Sequence, residues 1–310
     1  MSRVRIGTRS SPLALYQAEL VKDHLASSGV TVEIVKIQSE GDIDTKSPLH
    51  KMGSVGVFTN ALDEALLNNK IDIAVHSCKD LPTEPPKDLE IIAYLERGPF
   101  HDLLIHRGNL DFMEGKSHGR IATGSIRRRA QWKKRYPNHH FEELRGNIAT
   151  RLEKFQKEKW NAIILSEASL KRLGYSMDST ERLEWMIPAP AQGVIAVSGR
   201  SGDQLNQEVR SVLNHKETEL MAVIERKFLN TLEGGCSAPI GALVTHRGYK
   251  NQYLFKGILS TTTGDRHVEI EKEIDIHEGS DVGKNLANQV LADGGDDIIK
   301  EIKLELGQEN

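Results

Sequence analysis

Short runs of apolar, often β-branched residues alternate along the first two thirds of the chain with stretches in which apolar residues recur every three or four positions. The short runs predict strands, and the longer stretches predict amphipathic helices. Strands and helices in alternation are typical of α/β proteins with parallel sheets. The predicted strands are Val4 to Thr8, Val30 to Ile37, Ile71 to Val75, Leu89 to Leu95, Asp102 to His106, Ile121 to Thr123, His140 to Leu144, Ala162 to Leu165 and Val194 to Ser198.

The first predicted helix has a clear beginning, because Ser11 supplies a capping hydroxyl and Pro12 suits the first turn. Gly98-Pro99 is a candidate hinge between two α/β units. After residue 250 alternating apolar residues predict a small antiparallel sheet with two helices. The helical stretches are Leu13 to Leu20, Phe58 to Leu66, Ile126 to Arg135, Ala149 to Glu158, Thr218 to Leu232, Val282 to Leu291 and Ile298 to Leu306.

Composition restricts the class of protein. The 310 residues would make roughly two domains of about 150 residues. Hydrophobic residues at 38% and charged residues at 27% exclude a collagen-like, low-complexity or disordered chain. Cys78 and Cys236 lie far apart, which disfavours a metal site or a disulfide framework. No apolar run approaches the roughly 20 residues of a membrane helix, and the first residues lack the apolar core of a signal peptide, so we expect a cytoplasmic protein.

The net charge of −3 conceals an uneven distribution. Between Arg120 and Arg151 nine Lys and Arg residues stand against two Glu residues. From Thr218 onward 10 basic residues stand against 16 acidic ones. A basic middle segment therefore precedes an acidic C-terminal part.

The basic segment begins with Gly124-Ser125-Ile126-Arg127-Arg128, where a predicted strand ends and a helix starts. Backbone N–H groups, a hydroxyl and guanidinium groups meet there, an arrangement that suits a carboxylate or phosphate. Arg145 and Arg151 follow at the next strand end and helix start. A solvated helix face is the plainer interpretation, and a nucleic-acid surface with Trp132 and Tyr136 is a third, although core packing explains both rings equally well.

Asp80 follows the buried strand that ends near Val75, at the edge of the sheet where α/β proteins bind ligands. Its carboxylate could accept hydrogen bonds or move protons, or it could cap a turn. His76 is expected to be a satisfied structural histidine, and Cys78 to be packed. Cys236 lies in Gly234-Gly-Cys-Ser-Ala-Pro-Ile-Gly241, a loop that would expose its thiol, although a lone cysteine is commonly buried.

These motifs together resemble the hydroxymethylbilane synthase family, also called the porphobilinogen deaminases. The resemblance extends from near the start of the chain to about residue 242. It is carried by Ile6-Gly-Thr-Arg-Ser-Ser-Pro-Leu-Ala-Leu15, Val75-His-Ser-Cys-Lys-Asp80, Thr123-Gly-Ser-Ile-Arg-Arg128, Leu144-Arg-Gly-Asn147 with Thr150-Arg151, Leu170-Lys-Arg-Leu-Gly174, and Glu225-Arg-Lys-Phe-Leu229 with Gly234-Gly-Cys-Ser-Ala-Pro-Ile-Gly-Ala242.

The resemblance implies a monomeric α/β transferase of three domains. Two would resemble the lobes of type II periplasmic binding proteins around a cleft, and the third would be a small antiparallel sheet with helices. Their expected bounds are 1–97 with 193–214, 98–192, and 218–310. The enzyme would deaminate porphobilinogen and join four units onto a covalent dipyrromethane primer, releasing hydroxymethylbilane for tetrapyrrole synthesis.

The resemblance also implies a role for each matching residue. Cys236 would hold the dipyrromethane through a thioether, and Asp80 would be the catalytic carboxylate. The cofactor would contact Lys79, Ser125, Arg127, Arg128 and Asp42, and the substrate would contact Arg9, Ser11, Arg145, Arg151, Arg172 and, less directly, Lys51. Because every pyrrole unit carries two carboxylates, forked guanidinium groups suit such a ligand. No metal is implied.

The sequence departs from the family pattern at four places: Val55 where a lysine is usual, Ala191 where a glycine is usual, Cys78 where leucine or methionine is usual, and Ser166-Glu-Ala-Ser169 where an alanine-rich stretch that ends in glycine is usual. Two alternatives stay open at this stage. One is a two-lobed anion-binding protein without chemistry, and the other is a nucleic-acid binder.

Overall fold

The computed structural model describes residues 3–38, 59–114, 117–176, 178–232, 238–248 and 252–305, and its strands form three separate sheets. Ser11 caps the first helix by accepting a hydrogen bond from the Ala14 N–H, and Pro12 begins that helix, as predicted. The first part of the chain contributes β1 (Val4–Arg9), α1 (Pro12–Ser27), β2 (Val32–Ile37), α2 (Asn60–Leu67), β3 (Ile73–Ser77) and β4 (Leu89–Tyr94).

The middle of the chain builds a second sheet in the order β7-β6-β8-β5-β9. Helix α3 has the predicted bounds, whereas β9 and the short α5 have no prediction in the sequence. The elements are β5 (Asp102–His106), β6 (Arg120–Ala122), α3 (Ile126–Arg135), β7 (His140–Glu142), α4 (Ile148–Lys157), β8 (Ala162–Ser166), α5 (Glu167–Arg172) and β9 (Thr180–Arg182).

The chain then returns to the first sheet through β10 (Ile195–Arg200), followed by α6 (Leu205–Leu213). The order of the first sheet is β2-β1-β3-β10-β4. We call this sheet with α1, α2 and α6 the first lobe, and the second sheet with α3 to α5 the second lobe.

The parallel architecture that the sequence predicts is present in both lobes, in the pairs of β1 with β2 and β3 and of β6 with β7 and β8, but each sheet also contains antiparallel pairs. β10 runs antiparallel to β3 and β4, and β5 runs antiparallel to β8 and β9. β5 is the strand by which the chain enters the second lobe, and β10 is the strand by which it returns to the first. Hydrophobic periodicity shows that a strand is buried but contains no information on its direction.

The C-terminal domain consists of a long helix packed on a three-stranded antiparallel sheet in the order β11-β12-β13. Phe228 and Phe255 meet in its core with ring centroids 5.0 Å apart. Its elements are α7 (Lys216–Thr231), β11 (Ile240–His246), β12 (Tyr253–Ser260), β13 (His267–Ile274), α8 (Ser280–Val290) and α9 (Asp296–Glu305). The expected fold class is confirmed: an α/β protein with two sheet-and-helix lobes and a small antiparallel third domain.

Two connecting segments, residues 95–101 and 183–194, join the lobes and lie side by side. The Gly98 N–H donates to the Gly193 carbonyl at 3.1 Å. Gly193 has a φ of +88°, and a Cβ at this position would lie 2.7 Å from the Gly98 oxygen, so only glycine allows this approach.

The C-terminal domain braces these segments through Glu225 of α7, which is fully buried. Arg97 donates to it from Nη1 at 2.6 Å, and the Ala191 N–H donates at 2.7 Å. The Val244 N–H of β11 also donates to Glu225, at 2.7 Å. One buried carboxylate thus ties both connecting segments to the third sheet.

None of the described helices combines the length and the apolar character that crossing a membrane requires.

Candidate functional site

Asp80 lies at the carboxyl end of a central strand, as the sequence predicts. β3 ends at Ser77, and a single 3₁₀ turn over Cys78–Asp80 follows. Cys78 is fully buried, while Asp80 is exposed. The buried Cys78 anchors the turn and the carboxylate of Asp80 reaches the surface between the lobes.

The neighbouring Lys79 connects the first lobe to the second through one amide. Its Nζ donates to Gln192 Oε1 at 3.2 Å, and Gln192 Nε2 donates to Asp102 Oδ1 at 2.9 Å. Burial lowers the pKa of Lys79 to about 8, helped by the charges of Arg128 and Arg127, while Asp80 and Asp102 oppose this change. The ammonium group therefore lies close to all four of these charges.

Asp102 is fully buried and binds both arginines of the predicted anion site. Its Oδ2 accepts from Arg127 Nη2 at 2.8 Å, and its Oδ1 accepts from Arg128 Nη2 at 2.7 Å. The paired guanidinium groups hold the pKa of the Asp102 carboxyl well below its usual range, against the opposing effect of burial. Arg127 and Arg128 are only 5% and 6% exposed, so most of their surface faces protein.

Ser125 caps α3, which begins at Ile126 as predicted, and its hydroxyl accepts a hydrogen bond from the Arg128 N–H at 3.4 Å. The helix start therefore has one of its donors occupied by its own cap. The side chains of Arg127 and Arg128 are buried next to this helix start and do not project into solvent.

A second pair of arginines, Arg145 and Arg151, lies close to Arg128. Arg151 belongs to the first turn of α4, and its Nε donates to the Gly146 carbonyl at 2.7 Å. Burial lowers the pKa of Arg151 to about 10, followed by repulsion from Arg128 and Arg145, while Asp80 raises it. The charges of Arg128, Arg145 and Asp80 thus all lie close enough to Arg151 to act on it.

The remaining substrate candidates of the described chain lie at the edges of this cluster. Arg9 ends β1, and its charge acts on His76. Ser11 caps α1. Arg172 donates from Nη2 to the Gly193 carbonyl at 2.6 Å, so it contacts a connecting segment, and its charge interacts with Tyr16.

Three predicted site residues, Asp42, Lys51 and Cys236, lie outside the described residues.

His76 differs from its expected role as a satisfied structural histidine. It is 6% exposed, but its Nε2 has no hydrogen-bond partner among the described residues. Burial, assisted by the Arg9 charge, lowers the pKa of His76 to about 4. The ring is therefore neutral at physiological pH.

The aromatic residues of the basic helix belong to the core. Trp132 is fully buried, and Tyr136 lies 5.0 Å from it between ring centroids. A buried indole ring is not available to stack on a nucleotide base. The packing interpretation of these rings is confirmed.

Sequence reasoning missed Asp102 and Gln192, which connect the two lobes at this site. Asp102 occupies the first position of β5, where an ionised group must have a partner if it is buried. The sequence did contain a signal for this role: Asp102 directly precedes the apolar run Leu103-Leu-Ile105, so its burial and its need for a charged partner could have been expected. Its partners lie 25 and 26 residues away in sequence, so local periodicity could not identify them.

Fold and site together define a two-lobed α/β protein in which the exposed carboxylate of Asp80 lies near cationic side chains of both lobes. Residues 4–208 match the family model described as "Porphobilinogen deaminase, dipyromethane cofactor binding domain", and residues 220–292 match "Porphobilinogen deaminase, C-terminal domain". The chain belongs to the porphobilinogen deaminase family, whose first domain binds a dipyrromethane cofactor.

Curated proteins that bear the name of this family are similar in sequence to most of the chain. A "Probable porphobilinogen deaminase" of Methanocaldococcus jannaschii is 47% identical over 81% of this chain and 85% of that protein. A "Porphobilinogen deaminase" of Cytophaga hutchinsonii is 39% identical over 98% of each chain. Among solved structures, an ABC transporter periplasmic substrate-binding protein from Coxiella burnetii has a TM-score of 0.42 at 14% identity, covering 72% of this chain and 96% of that chain.

Proposed function

We propose that this protein deaminates porphobilinogen and joins four units head to tail on a dipyrromethane primer, releasing hydroxymethylbilane for tetrapyrrole synthesis. The observation that carries the proposal is the position of exposed Asp80 beside a cluster of cations from both lobes. A ligand with many carboxylates and several pyrrole N–H groups needs both features in one place.

The residues of the cleft fit a dipyrromethane by their chemistry. Two pyrrole rings with an acetate and a propionate each bring about four carboxylates, and ionised carboxylates bind best to charged N–H donors. Burial, followed by the neighbouring charges of Arg128 and Arg145, lowers the pKa of Arg151, so several guanidinium groups lie close enough together to bind such carboxylates. We assign cofactor contacts to Lys79, Ser125, Arg127, Arg128 and Asp42, and covalent attachment to the thiol of Cys236.

When bound, the primer supplies a nucleophilic pyrrole carbon at its free end. The chain itself must bind each porphobilinogen, help its amine to leave as ammonia and stabilise the positive charge that develops on the ring. Asp80 is suited to these tasks, since its carboxylate can accept a pyrrole N–H bond and move protons at the same position.

We assign binding of incoming substrate to Arg9, Ser11, Arg145, Arg151, Arg172 and Lys51. Arg145 and Arg151 act near Asp80, whereas Arg172 contacts the connecting segment at Gly193. A guanidinium at this last position can bind a carboxylate and also respond to movement between the lobes. Its hydrogen bond to the Gly193 carbonyl supports that dual role.

We further propose three domains with bounds 1–97 plus 193–214, 98–192, and 218–310. The membership of strands in the three sheets supports this division, since β10 pairs with β3 and β4 across a long sequence separation. A monomer that works in the cytoplasm without nucleic acid is part of the same proposal. Buried, unbridged Cys78 is consistent with a reducing compartment.

Incubation of the purified protein with porphobilinogen tests the activity directly. We expect one ammonia per porphobilinogen consumed and a product with the mass of four joined units. Saturable binding of porphobilinogen without ammonia release would instead support the anion-binding alternative. Binding of oligonucleotides with an affinity that falls steeply with salt would support the nucleic-acid alternative.

A further inference from the structure

Arg226, in the C-terminal domain, makes an extensive set of contacts with the segment that contains Asp80. Its Nη1 donates to the carbonyl oxygens of Cys78 at 3.1 Å and Leu81 at 3.3 Å. Its Nη2 donates to the carbonyls of Pro82 and, at 3.3 Å, Thr83. The guanidinium group therefore binds main-chain atoms on both sides of Asp80.

These contacts are buried and link distant parts of the sequence. Arg226 is 7% exposed and lies on α7, 148 residues after Cys78. The segment after Asp80 has no helix or strand until β4 begins at Leu89. Its prolines remove backbone donors, so the carbonyls there have few partners from their own segment.

The planar guanidinium group suits this task better than any other side chain. It presents up to five N–H donors in fixed directions, and it keeps its charge. A buried cation is costly to displace from the carbonyls that it binds, so these carbonyls are held tightly in return. The conformation of the 3₁₀ turn thus depends on a residue of another domain.

We propose that Arg226 is a positioning residue: it fixes the backbone on both sides of Asp80 and so sets the direction of the Asp80 carboxylate in the cleft. The inference rests on the proposed role of Asp80. It assigns to the C-terminal domain a second task besides bearing the cysteine loop. That domain holds the turn that carries the reacting carboxylate.

The test compares Arg226→Gln and Arg226→Lys with the parent protein and with Arg107→Gln. Arg107 is a matched control because it also donates to main-chain carbonyls, those of Phe155, Glu158 and Trp160, but at the end of α4 in the second lobe. For each variant kcat and KM for porphobilinogen, the intact mass of the cofactor-loaded protein and Tm are measured.

We expect Arg226→Gln to keep its cofactor and to lower kcat by about tenfold to a hundredfold, with KM changed less than about twofold, because a misdirected group slows the reaction more than it weakens binding. Arg226→Lys should recover part of kcat, since an ammonium group replaces some of the donors. Arg107→Gln should lower Tm and leave kcat within about twofold of the parent.

The double variant Asp80→Asn with Arg226→Gln shows whether Arg226 acts through Asp80. If it does, adding Arg226→Gln to Asp80→Asn lowers kcat by less than about threefold, because the group being positioned is already lost. A full additional loss would overturn the inference, and so would a parental kcat for Arg226→Gln.

The failure of each proposal gives a different result. Near-parental turnover by Asp80→Asn would remove the role of Asp80 itself, and with it this inference. A slow Asp80→Asn beside a fully active Arg226→Gln would remove only the inference. If Arg226→Gln does not fold, Arg226→Lys decides, and a parental kcat in that variant contradicts positioning.

Discussion

Asp102 and Arg128 form a fork of two hydrogen bonds, in which Asp102 Oδ1 accepts from Nε at 3.0 Å and from Nη2 at 2.7 Å. Both side chains are buried, and they join the first residue of β5 to the first turn of α3. The helix that carries the basic cluster is therefore fastened to its sheet by a charge pair. The arginines that sequence motifs assign to the cofactor are also part of the core of the second lobe.

Replacing Asp102 by Asn should destabilise the protein severely. The change leaves Arg127 and Arg128 buried without a compensating charge, which costs about 3–5 kcal/mol for a broken buried pair. Denaturant unfolding of the two proteins measures the difference in free energy of unfolding.

Glu167→Gln serves as the control for this variant. Glu167 pairs with Arg182, whose side chain is 49% exposed, at 2.6 Å. Such a pair is worth less than about 1 kcal/mol. Equal losses in both variants would show that burial does not set the value of the Asp102 pair.

Asp80→Asn should fold and retain its cofactor but turn over slowly. Asp80 is exposed, so stability should change by less than about 0.5 kcal/mol. Loss of a proton-transferring carboxylate should lower kcat by a factor of about 10² to 10⁴. Steady-state ammonia release measures this.

The neighbouring exposed Glu84 offers a control with the same change of charge in the same segment. Glu84→Gln should keep kcat within about twofold of the parent. Equal slowing by both variants would mean that the segment needs negative charge in general, and near-normal turnover by Asp80→Asn would exclude it as the reacting carboxylate.

Lys79 should make cofactor loading depend on pH. Its pKa in the folded protein is lowered to about 8, so it is charged at pH 7 and loses its proton as the pH rises through 8. At pH 9 only about a tenth of the protein would keep the ammonium group. Lys79→Arg stays charged throughout this range.

The measurement is the rate at which protein freed of its cofactor regains two pyrrole units from porphobilinogen, followed by intact mass. The ratio of the parent rate to the Lys79→Arg rate should fall several-fold between pH 7 and pH 9. Taking this ratio cancels every effect of pH that the two proteins share. A ratio that does not change with pH would show that the Lys79 charge takes no part in loading.

Arg151→Gln should weaken substrate binding more than it slows the reaction. A charge-assisted hydrogen bond to a carboxylate contributes about 1.5–3 kcal/mol, which corresponds to a rise in KM of about tenfold to a hundredfold. Lys157, at the other end of the same helix and exposed, provides the control.

Lys157→Gln removes the same charge from α4 and should leave KM within about twofold. If both variants raise KM equally, the effect of Arg151 is a general attraction by the basic helix. If neither does, Arg151 does not contact the substrate carboxylates.

Local sequence signals predicted much of the fold. The bounds of α3 from Ile126 to Arg135 and the strand that leads to Asp80 follow from apolar spacing and from turn residues. Short elements such as β9 and α5 were not predicted, because three to six residues are too few to show a periodic pattern of apolar residues. The antiparallel direction of β5 and β10 was not predicted either, because it depends on how the chain crosses from one lobe to the other.

Motifs placed Asp80 and the arginines in one cleft, but contacts between distant residues could not be derived. The partner of Asp102 was unknown from sequence, so Arg127 and Arg128 were expected to point freely at a ligand, whereas they are bound to a buried carboxylate. Glu225 and Arg226 belong to a motif that carries the family resemblance, but the sequence identified a partner for neither residue. Arg97, a partner of Glu225, and Cys78, a partner of Arg226, lie more than 100 residues earlier in the chain.

Intact mass and peptide mass spectrometry of active protein test the central claim most directly, since the activity proposed here requires a dipyrromethane on Cys236. We predict an adduct of two pyrrole units that is located on the Cys236 peptide, is absent from the peptide of fully buried Cys78, persists in Cys78→Ser and is lost in Cys236→Ser together with activity. An unmodified Cys236 in protein that turns over porphobilinogen, or an adduct on Cys78, would contradict it.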